Sequence, residues 1–220
     1  MINIAIDGPG GAGKSTIAKA AAKELGYIYV DTGALYRSVG LYALRKDVKT
    51  DSADEVVPLL KEITVELKFI DGSQRVFLNG EDVSEEIRTP EASMAASNVS
   101  AIQAVRDFLF DLQRDIAKAN NCIMDGRDIG TVVLPDAQVK IFLTASAEER
   151  AKRRYIQLTE KGQEVNYEDV LKELQERDYQ DSHREIAPLK PADDSVIVDT
   201  TEINLEQSID TVVNVIRERI

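Results

Sequence analysis

The sequence predicts an α/β fold: a five-stranded parallel sheet flanked by helices, carrying one small antiparallel β insertion. Three observations predict it. Five short apolar runs recur along the 220 residues, joined mostly by helical stretches, the pattern of buried parallel strands with crossover helices. The first run leads into a glycine-rich loop, Gly8-Pro-Gly-Gly-Ala-Gly-Lys-Ser15, and then directly into a helical pattern. A period-two stretch, Ile63-Thr-Val-Glu-Leu-Lys-Phe-Ile70, interrupts the alternation in the middle of the chain.

Taken in order, Ile2 to Ile6 is the first buried strand and stops at Asp7-Gly8. Ile17, Ala21 and Leu25 share one helical face, and Gly26 is a natural stop. Tyr27 to Val30 is the second strand, ending at Asp31-Thr32-Gly33, and residues 35–46 read as a helix. After Ile63–Ile70, Asp71-Gly72-Ser73 is a turn, Arg75 to Asn79 a further strand and Asn79-Gly80 a second turn signal. The insertion therefore covers roughly 60–85, with helical flanks to about 99. Thr89-Pro90 opens a helix with proline at its first position. Ser100-x-x-Gln103 reads as a capping box for a helix to about Ala119. Cys122–Asp125 and Val139–Thr144 resume the strands. Ser146-x-x-Glu149 caps a charged helix, and Asn166 caps the next, which carries Val170, Leu171 and Leu174. Val196–Asp199 is the last strand, and the final helix sets Leu205, Ile209, Val212, Val213 and Ile216 on one face. There is no internal repeat, low-complexity tract or flexible linker.

Hydrophobic residues make up 43% of the chain and charged residues 30%, a balance that can support a sizeable core. Acidic residues outnumber basic ones 39 to 27, for a formal charge of −12. That argues against a nucleic-acid partner, whose phosphates need clustered lysine and arginine. It is compatible with nucleotide binding if a few arginines converge on one cleft. The lone cysteine, Cys122, allows no intrachain disulfide, which fits a reducing cytoplasm. No apolar run approaches the ~20 residues that span a bilayer, and the start MINIAIDG lacks a signal peptide's basic region. The expectation is a cytoplasmic protein without a membrane partner.

The chemistry starts at GPGGAGKS, which fits the G-x-x-x-x-G-K-[ST] pattern in the required strand–loop–helix context. Its glycines let backbone N–H groups face phosphate oxygens, and the helix beginning at Lys14 turns its positive end toward them. Lys14 adds a mobile charge for the β and γ phosphates, and the Ser15 hydroxyl can ligate Mg²⁺. No N-K-x-D guanine reader is present. Asp125-Gly-Arg-Asp128 follows a strand, at the sheet edge where ligands bind in open α/β folds. It reads either as a structural turn or, given Arg127 and Asp128, as part of an anion site. Asp31-Thr-Gly-Ala-Leu-Tyr-Arg37 shares that edge, and Arg37 could grip a second phosphate in bidentate fashion, with Tyr36 beside it. Arg150, Arg153 and Arg154 share one helix side, and Arg177 and Arg184 bracket Asp181. A lone cluster of this kind is a solvated charged face; two clusters in a chain with a phosphate loop suggest a clamp on charge in phosphoryl transfer.

The segments IDGPGGAGKST, DTGALYR, EDVSEEIRTPE, AASNVSAIQAVR, DGRDIGTVV, KIFLTASAEERAKRR and ERDYQDSHREIAPL occur in this order nearly end to end. In these segments the chain resembles the bacterial cytidylate kinase family. The resemblance implies a P-loop kinase core (1–36, 100–149 and 167–220), a nucleoside-monophosphate-binding insertion domain (37–99) and a short helical lid (150–166). It implies a monomeric enzyme that phosphorylates CMP and dCMP with ATP and Mg²⁺. Gly8, Pro9, Gly10, Gly11, Ala12, Gly13, Lys14, Ser15 and Thr16 would bind the ATP phosphates. Thr32, where the family often has serine, would meet the acceptor, with Tyr36 and Asp125 beside it, and Arg37 and Arg127 would hold its phosphate. Ser97, Arg106 and Asp128 resemble the cytosine-reading set, Arg177 and Asp181 the ribose-binding pair, and Arg184 a phosphate-binding arginine. Lys14, Arg127, Arg153 and Arg154 would serve the transfer itself; the resemblance does not single out which lid arginine meets the moving phosphoryl group. His183 has no partner motif and reads as an exposed helix residue. The rivals are a kinase of the shikimate or adenylate type, which leaves the antiparallel insertion unexplained, and a nucleotide switch without transfer activity.

Overall fold

The computed structural model describes residues 1–70 and 73–220, so Asp71 and Gly72 of the expected turn lie outside the described residues. Strand β1 (Asn3–Asp7) runs through the glycine loop into helix α1 (Lys14–Leu25), with Gly26 as its C-cap. β2 (Ile28–Asp31) passes without a loop into α2 (Thr32–Arg45). Asp31 both ends the strand and caps the helix, its Oδ1 accepting from the Ala34 N–H at 3.0 Å. The short α3 (Ala53–Leu59) was not expected from the hydrophobic pattern; only Val56 of it is buried, so it carries no period to read.

β3 (Val65–Ile70), β4 (Ser73–Leu78) and β5 (Glu81–Asp82) form a separate antiparallel sheet, as the period-two stretch requires. Asn79 and Gly80 have φ of 50° and 85°, the mirror-image turn that matches strand twist. α4 (Pro90–Ser100) begins with Pro90 at its first position and Thr89 accepting from the Ala92 N–H. α5 (Gln103–Ala119) corrects the expected capping box: Ser100 ends α4, its hydroxyl donates to the Ser97 carbonyl, and Ile102 occupies the cap position without a side-chain bond. The tight passage between the two helices turns Ser100 inward, out of reach of the α5 terminus.

β6 (Cys122–Gly126) is followed by a single wide turn, Ile129–Val133, then β7 (Val139–Thr144). α6 (Ala147–Glu160) and α7 (Tyr167–His183) carry the expected Ser146 and Asn166 caps. β8 (Val196–Asp199) and α8 (Leu205–Arg217) complete the chain, α8 opening with a reciprocal Asn204/Gln207 capping box.

The main sheet is parallel, in the order β2-β6-β1-β7-β8. Alternation along β1 divides its faces: Ile4 and Ile6 pack against α1 and α8 through Ile17, Ala21, Val212 and Ile216, while Ala5 joins Met124 and Ala117 of α5 on the other side. Leu205, expected on the buried face of the last helix, is instead exposed at its start. A second core unites the insertion with α2, α4 and α5 around Leu35, Val39, Val56, Leu78, Val99 and Leu109. The expected domain boundary at 36/37 falls inside the continuous helix α2. Among the described residues, no helix is long and apolar enough to cross a membrane.

The α2–α4 crossing depends on Gly40. A Cβ there would lie 2.9 Å from the Ala95 Cβ and 3.0 Å from the Ala95 carbonyl carbon. Overpacking costs about 1–3 kcal/mol, against about 1 kcal/mol of helix propensity gained over glycine. Gly40→Ala is therefore expected to lower unfolding free energy in urea, where propensity alone would raise it.

Candidate active site

The sheet register brings the chemistry to one edge. Asp31 pairs with Asp125, and Asp7 with Gly126, so β1, β2 and β6 all deliver an aspartate to the same end of the sheet. The glycine loop leaves β1 there. Gly8 has φ 150°, and a Cβ on it would come within 1.9 Å of the Leu143 carbonyl oxygen, so only glycine lets the loop start this close to β7.

Lys14 is buried, and its ammonium donates to the Gly8 and Pro9 carbonyls at 2.7 Å each. The expected mobile charge is thus folded onto its own loop. Burial, then the neighbouring Arg127 guanidinium, pulls it well below the usual lysine range. The Ser15 hydroxyl donates to Asp125 Oδ2 at 2.8 Å, and the Tyr29 hydroxyl reaches the same oxygen at 3.3 Å. A hydroxyl and a carboxylate together at the mouth of a phosphate loop form a hard oxygen donor set, which fits Mg²⁺.

The expected grouping of the three α6 arginines does not hold. Arg150 is buried and committed to structure: it donates to the Ala145 and Gly10 carbonyls at 2.9 Å each and to Asp178 at 2.6 Å, bracing the loop from behind. Arg153 bonds Glu149 and the Thr200 carbonyl, and Arg154 bonds Gln157. Arg153 and Arg154 line the cleft; Arg150 does not.

Across the cleft, Asp181 collects Arg127 Nε at 2.9 Å and the Ser97 hydroxyl at 2.8 Å, with Arg177 at 3.9 Å. Arg37 bonds Asp31 at 2.7 Å. Arg177 is pulled down to about 10, first by burial and then by Arg127. The Nε atoms of Arg37 and Arg177 are buried without a hydrogen-bond partner among the described residues. Each of these two guanidiniums therefore keeps a donor free, as an anion site requires.

Farther in, Arg106 and Asp128 form a buried ion pair. Arg184 lies 3.6 Å from Asp128 and donates to Ser100 Oγ at 2.7 Å, and Tyr36 holds its ring 5.8 Å from the Arg106 guanidinium. Arg184 thus stands with the Arg106–Asp128 pair, whereas Ser97 stands with Asp181. The Thr32 hydroxyl donates to the Asp125 carbonyl at 2.8 Å. His183 is exposed and stacks on Tyr179, as expected of a residue without a motif.

One cleft of about 970 Å³ gathers Gly10 to Thr16, Thr32, Tyr36, Arg37, Ser97, Arg106, Asp125, Arg127, Asp128, Arg153, Arg154, Arg177, Asp181 and Arg184; Gly8 and Pro9 lie behind it. Asp7 escaped the sequence reading. Its carboxylate accepts from the Ile129 and Gly130 N–H groups at 2.8 and 2.7 Å and fixes the turn that follows Asp128. The available signal was that β1, like β2 and β6, reaches an aspartate at its carboxyl end.

A family model described as cytidylate kinase matches residues 4–218. The chain is 54% identical over 206 residues to the cytidylate kinase of Caldicellulosiruptor saccharolyticus, covering 94% of this chain and 91% of the relative. It is 47% identical over 219 residues to that of Lactobacillus johnsonii, covering 100% and 95%. A solved structure of an uncharacterized protein from Eubacterium ventriosum, 14% identical, shares the fold with a TM-score of 0.56 over 100% of both chains.

Burial pushes the Asp7 carboxyl up to about 7 and the Asp125 carboxyl up to about 6. The folded protein then holds protons that the unfolded chain releases near pH ~4. This share of the stability is complete below the unfolded value and is lost as pH rises through the folded one. In ligand-free thermal unfolding, the Tm of Asp7→Asn relative to the parent is expected to improve between about pH 4 and pH 7. A Tm difference independent of pH would mean that Asp7 does not titrate in this range.

Proposed function

The chain belongs to the cytidylate kinase family, and on that premise we propose that its cleft transfers the terminal phosphoryl group of ATP to CMP and dCMP, giving ADP with CDP or dCDP. The observation that carries the reading is a pair of candidate anion sites in one cleft: the glycine loop on one side and, on the other, Arg37 and Arg127, with an Arg37 Nε that has no hydrogen-bond partner among the described residues. A kinase for a neutral acceptor has no use for the second site.

In this reading Gly8 to Thr16 hold the ATP phosphates through backbone N–H groups, and Lys14 leaves the Gly8 and Pro9 carbonyls to follow the phosphoryl group. Ser15 and Asp125 would hold Mg²⁺, which would neutralise charge on the donor oxygens. Arg37 and Arg127 orient the acceptor phosphate, and Arg177 and Asp181 the ribose. Asp128 and Arg106 read cytosine, whose amino donor and ring-nitrogen and carbonyl acceptors complement a carboxylate and a guanidinium. Tyr36 and Arg184 frame that pocket, Ser97 holds Asp181 through its hydroxyl, and Thr32 meets the acceptor. The acceptor oxygen is already anionic at neutral pH, so no general base is needed, and the residues act by positioning and charge stabilisation. Closure of the insertion (37–99) and the lid (150–166) brings Arg153 or Arg154 onto the transferring group and excludes water, the competing acceptor. We place this monomeric enzyme in the cytoplasm, in keeping with its lone, buried Cys122.

An ADP-release assay across CMP, dCMP, UMP, AMP and GMP is expected to rank CMP and dCMP first; preference for AMP or GMP overturns the cytosine reading. Arg106→Ala should cost about 1.5–3 kcal/mol in CMP recognition, roughly 10- to 150-fold in KM, with the KM for ATP little changed. Lys14→Ala should instead depress kcat with every acceptor.

A further inference from the structure

β2 is an edge strand of the main sheet, so among the described residues one side of it has no neighbouring strand to pair its backbone. At Asp31 that side is met by the side chain of Gln74, from β4 of the insertion. The Asp31 N–H donates to Gln74 Oε1 at 2.8 Å, and Gln74 Nε2 donates to the Asp31 carbonyl at 3.3 Å. One carboxamide thus supplies the donor and acceptor that a further strand would have offered.

What it clamps is not a neutral stretch of strand. The same Asp31 caps α2 through Oδ1 and holds Arg37 Nη2 through Oδ2 at 2.7 Å. Beside the clasp lies a cleft of about 760 Å³ between the hairpin and α1 and β2, lined by Lys19, Tyr29, Ile70 and Arg75 among others. The hairpin therefore stands off the core there, with the Gln74 amide bridging the gap. The chain of contacts runs from hairpin to Asp31 backbone, from Asp31 carboxylate to Arg37, and from Arg37 into the cleft.

We propose that Gln74 is a positioning residue for the acceptor phosphate: its amide fixes the Asp31 backbone, and Asp31 in turn aims the Arg37 guanidinium. The proposal rests on the reading of Arg37 as a ligand of the acceptor phosphate. Gln74 does not line the active-site cleft, so its effect passes through Arg37.

The test is steady-state kinetics and CMP titration calorimetry on Gln74→Ala, Gln74→Glu, Arg37→Ala and the Gln74→Ala/Arg37→Ala double variant. Gln74→Glu keeps the side-chain volume but loses the amide donor and sets a second carboxylate beside Asp31. Loss of the two hydrogen bonds is expected to raise the KM for CMP about three- to tenfold, with kcat and the KM for ATP within about twofold. In the Arg37→Ala background, Gln74→Ala should weaken CMP no further, because the group it aims is gone. A parental KM for CMP in both Gln74 variants, an equal rise in the KM values for CMP and ATP, or a full additional loss in the double variant would each overturn the proposal. If Arg37→Ala leaves CMP binding unchanged, the acceptor-site reading fails and the role of Gln74 falls with it. If Arg37→Ala weakens CMP and Gln74→Ala does not, only the proposal for Gln74 fails.

Discussion

The Asp181 carboxylate is the contact on which the arrangement of the cleft depends. It accepts from Ser97 of α4 and from Arg127 after β6, and stands beside Arg177 one helical turn earlier on α7. Three parts of the chain distant in sequence thus share one buried anion. Burying a lone carboxylate is costly. Burial alone would raise Asp181, but Arg127 and Arg177 outweigh it and hold the group below the usual carboxylate range. Two guanidiniums thus meet at one carboxylate, and in the proposed function this cationic side of the cleft is what meets a phosphate.

The same imbalance explains how a chain of net charge −12 can bind nucleotides. Apart from buried aspartates such as Asp7, Asp125, Asp128 and Asp181, its acidic groups are spread over the surface, where water and salt screen them. Arg106 of the cleft is buried and Arg37, Arg127, Arg177 and Arg184 are half-buried, where screening is weaker than at the open surface and each charge acts over a longer range. Lys14 and Arg177 are driven down by burial and by Arg127, while burial and Asp31 drive Asp125 up. Each shift is unfavourable in the free protein, and each is relieved by an anion on one side or a cation on the other. The cleft is therefore held in a state that its ligands complete.

Much of this was legible in the sequence where a local rule operates. The strand–glycine loop–helix unit, Pro90 after Thr89, the Asn79-Gly80 turn and the caps at Ser146 and Asn166 each follow from the conformational preference of a few adjacent residues. The rules failed where a distant group competes for the same atoms. Ser100 matches a capping box, but its hydroxyl bonds Ser97 and receives Arg184, 84 residues away. Arg150, Arg153 and Arg154 share a helix side, yet the Gly10 carbonyl and Asp178 claim the first and Thr200 the second. Leu205 keeps the helical period but sits at the exposed start of α8, next to the cleft.

By itself, then, the sequence determined the α/β class, the inserted antiparallel sheet, the glycine loop between strand and helix and the residue types that line the cleft, because periodicity, turn chemistry and glycine conformation are local properties. Only the tertiary structure decided how those residues are grouped: Ser97 with Asp181, Arg184 with Asp128, Lys14 folded onto its own loop, and Asp7 beneath the turn after Asp128. The physical reason is that a buried polar group must be satisfied by whatever partner packing brings within reach. That partner comes from another strand or helix, at a distance along the chain that no local pattern records.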